Sequence, residues 1–325
     1  MTHPKKIIII ESAPGARLTN QLWNFASVYA YCLEKGFVCE NHSFFEYKHQ
    51  PDGQYSRLDY NNFFDLPRHG WLNKILIKIH LSQNKFCIKL RPYDRYVNLI
   101  KSFFSEQIIY SDIDKTSPFY LPPSENQNSS QQKMLSSIEA SKAKNIYFCG
   151  WLFRNPAGLK KYHIKIKEYF HPKKEISAKV DSFIQPLRKK YRHIVGVHIR
   201  QTDYQTYRNG SFFFKQEKIK IFLENYLQFF NRDKNETLFI LCSDGPIDKH
   251  LFNGLNIKTG PGKSIEDFFT LAQTDIIIGS ESTFSAFAAY LGNIPFAVFA
   301  EPDIDWKKIN LNSGFNYNNN SIAVH

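Results

Sequence analysis

The sequence predicts an α/β fold in two halves, and three observations lead to this prediction. Short apolar segments alternate with helical segments along most of the chain, which is the order that produces parallel sheets. The 325 residues are enough for two ordinary domains, with 42% hydrophobic and 22% charged residues. The pair His171-Pro172 ends a helical stretch, and the alternation of strands and helices occurs both before and after it. We therefore predict domains over residues 1–172 and 173–325 that face each other across a cleft.

The first half opens with a strand, a helix and a second strand. Residues 7–10 are four isoleucines, which is typical of a buried strand, and a turn at residues 13–16 follows. Apolar residues then recur at helical spacing up to Gly36, and residues 37–40 form the next strand. This order predicts a βαβ unit with parallel strands.

The rest of the first half contains further helices, one polar stretch and one strand. Residues 71–81 place their apolar side chains on one helical face, with Lys74 and Lys78 opposite. A helix packed on the domain and a helix lying on a membrane surface both fit this pattern. Residues 116–133 are rich in Pro, Ser and Gln, which predicts an exposed loop. A further helix is expected before the strand of residues 145–150, and a helix-like stretch then runs to about Phe170.

The second half repeats the same rhythm with clear boundaries. The predicted strands cover residues 194–199, 237–242, 275–279 and 296–299, and the predicted helices cover residues 176–191, 215–230, 264–273 and 282–291.

The net charge of +12 favours an anionic partner, which could be a nucleic acid, an anionic membrane surface or a phosphorylated substrate. No run is apolar enough for a membrane span, and residues 1–10 do not resemble a signal peptide. The five cysteines form no C-x-x-C pair and have no metal-ligand spacing with histidines. We therefore expect a cytoplasmic protein, with a peripheral membrane contact as one alternative.

Three consecutive strands of the second half end in polar clusters. Arg200 and Asp203 follow the first strand, Asp244 follows the second, and Ser282 and Thr283 follow the third and open a helix. Ligands of open α/β sheets bind outside the carboxyl ends of the strands, and a helix N-terminus favours anions. The pattern predicts that a pyrophosphate binds between the arginine and the helix start.

Each of these residues also has an ordinary structural explanation. Arg200 and Asp203 could form a surface ion pair, Ser282 could cap its helix, and Asp244 could stabilise a turn. His198 lies in an apolar strand and could be a buried histidine or a ligand contact. Three clusters at successive strand ends favour the ligand site.

The sequence lacks the motifs of several other kinds of functional site. The chain has no G-x-x-x-x-G-K-[ST] loop, no G-x-G-x-x-G loop and no G-x-S-x-G elbow. Residues 112–114 and 303–305 each read Asp-Ile-Asp, similar to the D-x-D pair of metal-dependent sugar transferases. Neither follows a clear buried strand, so we predict no metal site.

Four segments carry a resemblance to a known family. Residues 14–22 resemble a G-G-L-G-N-Q-[ML] loop, and residues 145–152 resemble a G-Y-[WF]-Q region. Residues 198–204, His-Ile-Arg-Gln-Thr-Asp-Tyr, match H-[VI]-R-R-x-D-Y, and residues 265–285 resemble an E-D-L…N-S-[ST]-F-S segment. The four segments occur in the same order as in the α-1,2-fucosyltransferases of glycosyltransferase family 11, so the chain resembles these enzymes and, more distantly, the α-1,6- and protein O-fucosyltransferases.

The chain departs from the family pattern at a few positions. Gln201 replaces the second arginine, Thr19 replaces a loop glycine, and Ala286 and Phe287 replace paired tryptophans. Paired aromatics and loops shape sugar pockets, so these departures concern the acceptor and the linkage.

The resemblance implies a GT-B type fold, with two Rossmann-like domains facing a cleft and the donor GDP-fucose held by the second. It implies no cofactor and no metal, because Arg200 would stabilise the charge that builds on the β-phosphate. Asp203 would act as a general base or would orient Arg200. The other residues implied to contact the nucleotide sugar are Asn20, Gln21, His198, Asp244, Glu266, Asp267, Ser282 and Thr283.

The predicted function is inverting, metal-independent transfer of fucose from GDP-fucose to a glycan hydroxyl, in α-1,2 linkage. The alternatives are transfer of another GDP-sugar or in another linkage, and a noncatalytic protein of the same fold that binds a glycan or nucleotide. Nucleic-acid binding is not predicted, because the chain contains no recognised module for it. The oligomeric state stays open.

Overall fold

The structure is a computed structural model that describes residues 4–11, 17–49, 55–66, 71–82, 86, 91–111 and 125–317. The chain divides into two compact units, the first ending at His171 and the second beginning at Pro172. We predicted this boundary one residue later. The predicted turn at residues 13–16 and the Asp-Ile-Asp segment at 112–114 lie outside the described residues.

The first unit is built on a parallel sheet. Its strands are β1 (Lys6–Glu11), β2 (Val38–Asn41), β3 (Phe45–His49), β4 (Tyr55–Asp59), β5 (Ile108–Tyr110) and β6 (Asn145–Cys149). The parallel sheet has the order β2-β1-β6-β5, so the predicted βαβ unit at its start is confirmed. Strands β3 and β4 form an antiparallel hairpin, which the sequence did not predict.

Helices cover the sheet of the first unit. They are α1 (Leu18–Lys35), α2 (Trp71–His80), α3 (Pro92–Phe103), α4 (Glu125–Ala140), α5 (Pro156–Lys161) and α6 (His163–Tyr169). Helix α1 ends as predicted, because Gly36 takes a left-handed φ of 67° and its N–H donates to the carbonyl of Cys32. Helices α2 and α3 pack on the sheet through Ile77, Val97 and Ile100.

The predicted loop at residues 116–133 is wrong where the structure describes it. Helix α4 begins at Glu125, inside that range, and continues to Ala140. Met134 and Ile138, four residues apart, are buried on one face of α4. This apolar anchor extends the helix into polar residues whose composition alone favoured a loop.

The second unit is a fully parallel sheet with helices around it. Its strands are β7 (His193–Ile199), β8 (Thr237–Ser243), β9 (Ile257–Thr259), β10 (Ile276–Gly279) and β11 (Phe296–Val298). Its helices are α7 (Lys174–Lys190), α8 (Gln216–Phe229), α9 (Ser264–Leu271) and α10 (Thr283–Gly292). The sheet order is β11-β10-β7-β8-β9, and the predicted α/β class is confirmed.

Strand β7 lies at the centre of this sheet, between β10 and β8. All its residues from Ile194 to Ile199 are buried. A Cβ on Gly196 would lie 2.7 Å from Leu271 Cδ2 and 2.9 Å from Thr274 Oγ1, so α9 packs closely against the sheet here. Because the three central strands run parallel, the residues that follow them lie at one edge of the sheet.

Among the described residues, no helix is both long enough and apolar enough to cross a membrane.

Candidate functional site

Arg200 follows β7 at the sheet edge and is held by Asp203. Its Nε donates to Asp203 Oδ1 at 2.7 Å, and its Nη2 donates to Oδ2 at 2.5 Å. Its guanidinium lies 4.9 Å from the centre of the Tyr204 ring, and its backbone N–H donates to Ser280 Oγ at 3.0 Å. Burial lowers the pKa of Arg200, but the hydrogen bonds and charge of Asp203 raise it further, so the pKa lies above its ordinary value. The side chain is therefore a permanent cation in a fixed orientation.

The ion pair with Asp203 engages only the Nε and Nη2 atoms of the Arg200 guanidinium. Within the part of the chain that the structure describes, Nη1 of Arg200 has no hydrogen-bond partner. The Arg200 side chain keeps 18% of its surface exposed. The side chain of this fixed cation is thus partly exposed at the sheet edge, and Asp203 does not engage its Nη1 group.

Asp244 follows β8 and braces the loop that carries Arg200. Its Oδ1 accepts from the backbone N–H of Gln201 at 2.6 Å and of Thr202 at 3.3 Å, and its Oδ2 accepts from Thr202 Oγ1 at 2.7 Å. The buried Gln201 amide Nε2 donates to Ser243 Oγ and to the carbonyl of Pro246, each at 2.8 Å. Asp244 thus holds a loop 43 residues away along the chain, and its contact with the nucleotide stays a prediction.

The start of α10 lies at the same edge. Ser282 caps the helix, because its Oγ accepts from the backbone N–H of Phe284 at 3.2 Å, and Thr283 is the first helical residue. The Tyr204 hydroxyl donates to the carbonyl of Glu281 at 2.6 Å, which ties the Arg200 loop to the helix start. The positive end of a ten-residue helix and a fixed arginine thus lie at one sheet edge.

His198 is a buried, neutral histidine. Its Nδ1 lies 2.6 Å from Ser285 Oγ, and its ring stacks on Phe284 with 4.9 Å between ring centres. Burial, and then the charge of Arg200, lower the pKa of His198 to about 3. The imidazole is therefore uncharged at neutral pH.

Glu266 and Asp267 are neighbours on α9, but their partners differ. Glu266 Oε1 forms an ion pair with Lys179 Nζ at 3.2 Å. Asp267 Oδ1 accepts from the backbone N–H of Gly262 at 2.9 Å, and the Cys242 thiol hydrogen-bonds to the same carboxylate. Burial raises the pKa of Asp267, while these two hydrogen bonds lower it in part. Among the described residues, Glu266 has a cationic partner and Asp267 has none, so Asp267 is the better candidate of the two predicted base readers.

The Asp267 carboxylate fits closely against the end of the sheet. A Cβ on Gly260 would lie 2.5 Å from Asp267 Oδ1 and 2.6 Å from Cys242 Sγ, so only glycine fits there without a shift. Cys242 pairs with His198 across β8 and β7. The carboxylate, the thiol and the histidine therefore form one neighbourhood beside Arg200.

Asn20 and Gln21 lie on α1 of the first unit. Asn20 is half-buried. Gln21 is buried, and its Nε2 donates to the carbonyl of Phe45 at 2.9 Å, which ties α1 to β3. Their role as cleft residues stays a prediction.

The second Asp-Ile-Asp segment is occupied by protein partners. Asp303 Oδ2 accepts from Asn225 Nδ2 at 2.8 Å, and Asp305 pairs with Lys308 at 3.0 Å. In the described ranges, no group of three or more His, Cys, Asp and Glu side chains could hold a metal ion.

Sequence reasoning assigned no role to Ser280, Gln201, Cys242 or Gly260. Ser280 stood in one of the strand-end clusters, and Gln201 was seen only as a departure from a motif. Cys242 and Gly260 carry no signal in periodicity or spacing, because their importance comes from contacts with Asp267.

Two α/β units, each built on a parallel sheet, are the architecture of the GT-B type of fold. A family model described as glycosyl transferase family 11 matches residues 140–319, more than half of the chain. The chain therefore belongs to this family, which confirms the resemblance seen in the sequence. A comparison with curated proteins found no match.

Solved structures of similar fold are fucosyltransferases. POFUT1 in complex with GDP-fucose has a TM-score of 0.52 and 12% identity over 92% of this chain and 99% of its own. A mutant of Arabidopsis thaliana FUT1 in complex with GDP has a TM-score of 0.53 and 13% identity over 92% and 71% of the two chains. The α-1,6-fucosyltransferase NodZ, known from Bradyrhizobium and soaked with GDP-fucose, has a TM-score of 0.52 and 16% identity over 92% and 96%. At these identities the likeness shows the fold.

Proposed function

We propose that this glycosyltransferase transfers fucose from GDP-fucose to a glycan hydroxyl, with inversion and without a metal ion. One observation carries the proposal: Asp203 holds the Arg200 guanidinium in a bidentate pair beside the start of α10. Family membership supports sugar transfer, and the GDP-fucose bound to POFUT1 and NodZ supports the choice of donor. The resemblance to the α-1,2-fucosyltransferases supports an α-1,2 linkage.

The donor diphosphate binds between Arg200 and the start of α10. The Nη1 hydrogens of Arg200 donate to the β-phosphate, and Ser282 and Thr283 add hydrogen bonds from the helix start. As the bond between fucose and GDP breaks, negative charge builds on the β-phosphate. A permanent cation already held in place stabilises that charge without reorganisation, and this replaces the function of a metal ion.

The base is recognised by Asp267 and contacted by His198. Guanine carries neighbouring N–H donors on its Watson–Crick edge, and a carboxylate is the acceptor that suits them. The Gly262 amide and the Cys242 thiol hold the Asp267 carboxylate in one orientation. The neutral imidazole of His198 adds a contact without adding charge.

Asp203 is a positioning residue in this mechanism. Both carboxylate oxygens face the Arg200 guanidinium, at 2.7 Å from Nε and 2.5 Å from Nη2. The reacting sugar carbon develops cationic character, so the acceptor hydroxyl gives up its proton late and a strong base is not required. Attack from the face opposite GDP inverts the configuration.

Arg200→Ala tests the proposal. We expect turnover of GDP-fucose to fall by at least about 100-fold, as when an oxyanion donor is removed. The readout is GDP release with and without a glycan acceptor. The matched control is Arg192→Ala, because Arg192 precedes β7 at the opposite end of the sheet and its side chain is 74% exposed. Near-normal transfer by the Arg200 variant would contradict the proposed role.

Calorimetric titration tests the donor. We expect GDP to bind more tightly than ADP or UDP, because their bases do not present guanine's pattern of N–H donors. Equal affinities would contradict the role of Asp267. Tight GDP binding without turnover in the wild-type protein would instead support a noncatalytic binding protein of this fold.

A further inference from the structure

Large apolar side chains are exposed together in one segment of the first unit, between residues 75 and 110. Phe103 is 73% exposed and Leu99 is 55% exposed. The exposed apolar residues of this segment are Ile75, Ile79, Phe86, Leu99, Phe103, Phe104 and Tyr110. Such a concentration marks an interaction surface, because single exposed apolar residues are normally scattered.

Four of these exposed residues lie on the outer faces of α2 and α3. Ile77 of α2 and Val97 of α3 are buried on the sheet side. Leu99 and Phe103 are four residues apart on the outer face of α3, and Ile75 and Ile79 have the same spacing on α2. Both helices therefore carry an outward apolar stripe in addition to the face that packs on the domain.

The same segment is rich in positive charge. Residues 75–110 contain six lysines and arginines and two acidic residues, a net charge of +4 out of +12 for the whole chain. Lys78, Arg91 and Arg95 are exposed, and Arg95 precedes Leu99 by one helical turn. Basic side chains therefore flank the apolar stripes.

We propose that the outer faces of α2 and α3 bind the surface of an anionic lipid bilayer. The exposed leucine, isoleucine and phenylalanine side chains enter the boundary between headgroups and acyl chains, and the basic side chains contact lipid phosphates. Helices that lie in a membrane interface bind through both contributions, the burial of apolar side chains and the attraction between basic side chains and anionic lipids.

Charge and chemistry favour a bilayer over the other occupants. A second copy of the chain would bring the exposed Lys78, Arg91 and Arg95 of one surface against those of the other, and like charges oppose association. A nucleic acid would satisfy the charge, but the exposed Leu99 and Phe103 side chains would find no partner in a phosphate backbone. Of these three occupants, the anionic bilayer is the one that offers a partner to both kinds of side chain.

Co-sedimentation of the full chain with vesicles tests this proposal. We expect the protein to bind vesicles of phosphatidylcholine with about 30% phosphatidylglycerol, and to bind pure phosphatidylcholine at least about tenfold more weakly. The double variant L99S/F103S should reduce partition onto the anionic vesicles about tenfold, because two apolar side chains no longer leave water. Arg95→Glu should also weaken partition, and added salt should weaken it further.

The matched control is the double variant I221S/F229S. Both residues lie on α8 of the second unit, and each is 47% exposed. This variant therefore measures the nonspecific effect of removing two exposed apolar side chains from another surface. We expect this control to bind vesicles like the wild-type chain. Thermal unfolding followed by circular dichroism checks that all variants fold.

Three results would overturn the proposal. They are equal binding to neutral and anionic vesicles, equal losses in the two double variants, and no binding to anionic vesicles by a folded wild-type chain. Lipid-free self-association that disappears in L99S/F103S would assign the surface to a second copy. Because vesicle binding is measured without GDP-fucose, its failure is distinct from failure of the proposed transferase activity.

Discussion

Replacing Asp203 with Asn separates a positioning role from a general-base role. In the structure the two carboxylate oxygens accept from Nε and Nη2 of Arg200. An asparagine amide has almost the same shape, and its oxygen can still accept from Nε. Its NH2 group would then face the Nη2 donor, so one charge-assisted hydrogen bond and the ionic attraction are lost.

The size of the effect follows from the exposure of the pair. A hydrogen bond to a charged group contributes about 1.5–3 kcal/mol when water is excluded. The Asp203 side chain is 42% exposed, so solvent screening reduces this contribution to about 1–2 kcal/mol. Turnover should therefore fall about 5- to 30-fold, since 1.4 kcal/mol corresponds to about tenfold.

The assay compares three quantities in wild type and D203N: GDP affinity, donor hydrolysis by water, and transfer to a glycan. A positioning role predicts that all three decrease, because Arg200 serves each of them. It also predicts no further loss when Asp203→Asn is added to Arg200→Ala. Asp233→Asn, at the other end of the sheet, is the control. Unchanged GDP affinity with transfer lowered more than about 100-fold would refute the reasoning and assign Asp203 as the base.

Two further predictions concern the neighbouring contacts. The pKa of His198 is depressed to about 3, so its contribution to stability is complete above its unfolded pKa of 6.5 and is lost progressively as the pH falls towards 3. This loss should reach about 2 kcal/mol between pH 7 and pH 5, and urea unfolding should show it in the wild type but not in His198→Gln. Gly260→Ala should weaken GDP binding about tenfold, because the new Cβ would displace Asp267 and Cys242. Calorimetry measures this, and an unchanged dissociation constant in a folded variant would remove Asp267 from the guanine site.

Strands β7, β8, β10 and β11 of the second unit were predictable because most of their residues are buried. Strand β9, which is only partly buried, was not predicted. A strand such as β7 appears in the sequence as a continuous apolar run, and the helices between such strands have regular spacing. The hairpin of β3 and β4 had a weaker signal: β3, Phe-Glu-Tyr-Lys-His, alternates over only five residues, and β4, Tyr-Ser-Arg-Leu-Asp, does not alternate. A helix was expected after residue 133, but α4 begins earlier, at Glu125, because the buried Met134 and Ile138 anchor polar residues that precede them.

Some residues of the candidate site could likewise be predicted from the sequence, and others could not. Arg200, Asp203, Ser282 and Thr283 could be proposed from the sequence, because the rule on strand ends depends only on the order of elements. Cys242 and Gly260 could not, because their relation to Asp267 exists only after β8, β9 and α9 have come together. The sequence locates an edge of the sheet, and packing decides which side chains are oriented there.

Gln201 shows how a departure from a family motif can be understood once the structure is known. Its amide Nε2 is buried between Ser243 and Pro246, and its Oε1 accepts from Gln216 Nε2 at 3.0 Å. An arginine has no acceptor group, so it could not receive the Gln216 hydrogen bond. The neighbourhood of residue 201 therefore suits a neutral amide, and the motif supplies one cation, Arg200. In the proposed mechanism donor activation depends on the orientation of this single guanidinium, which makes its pairing with Asp203 the most informative contact to break.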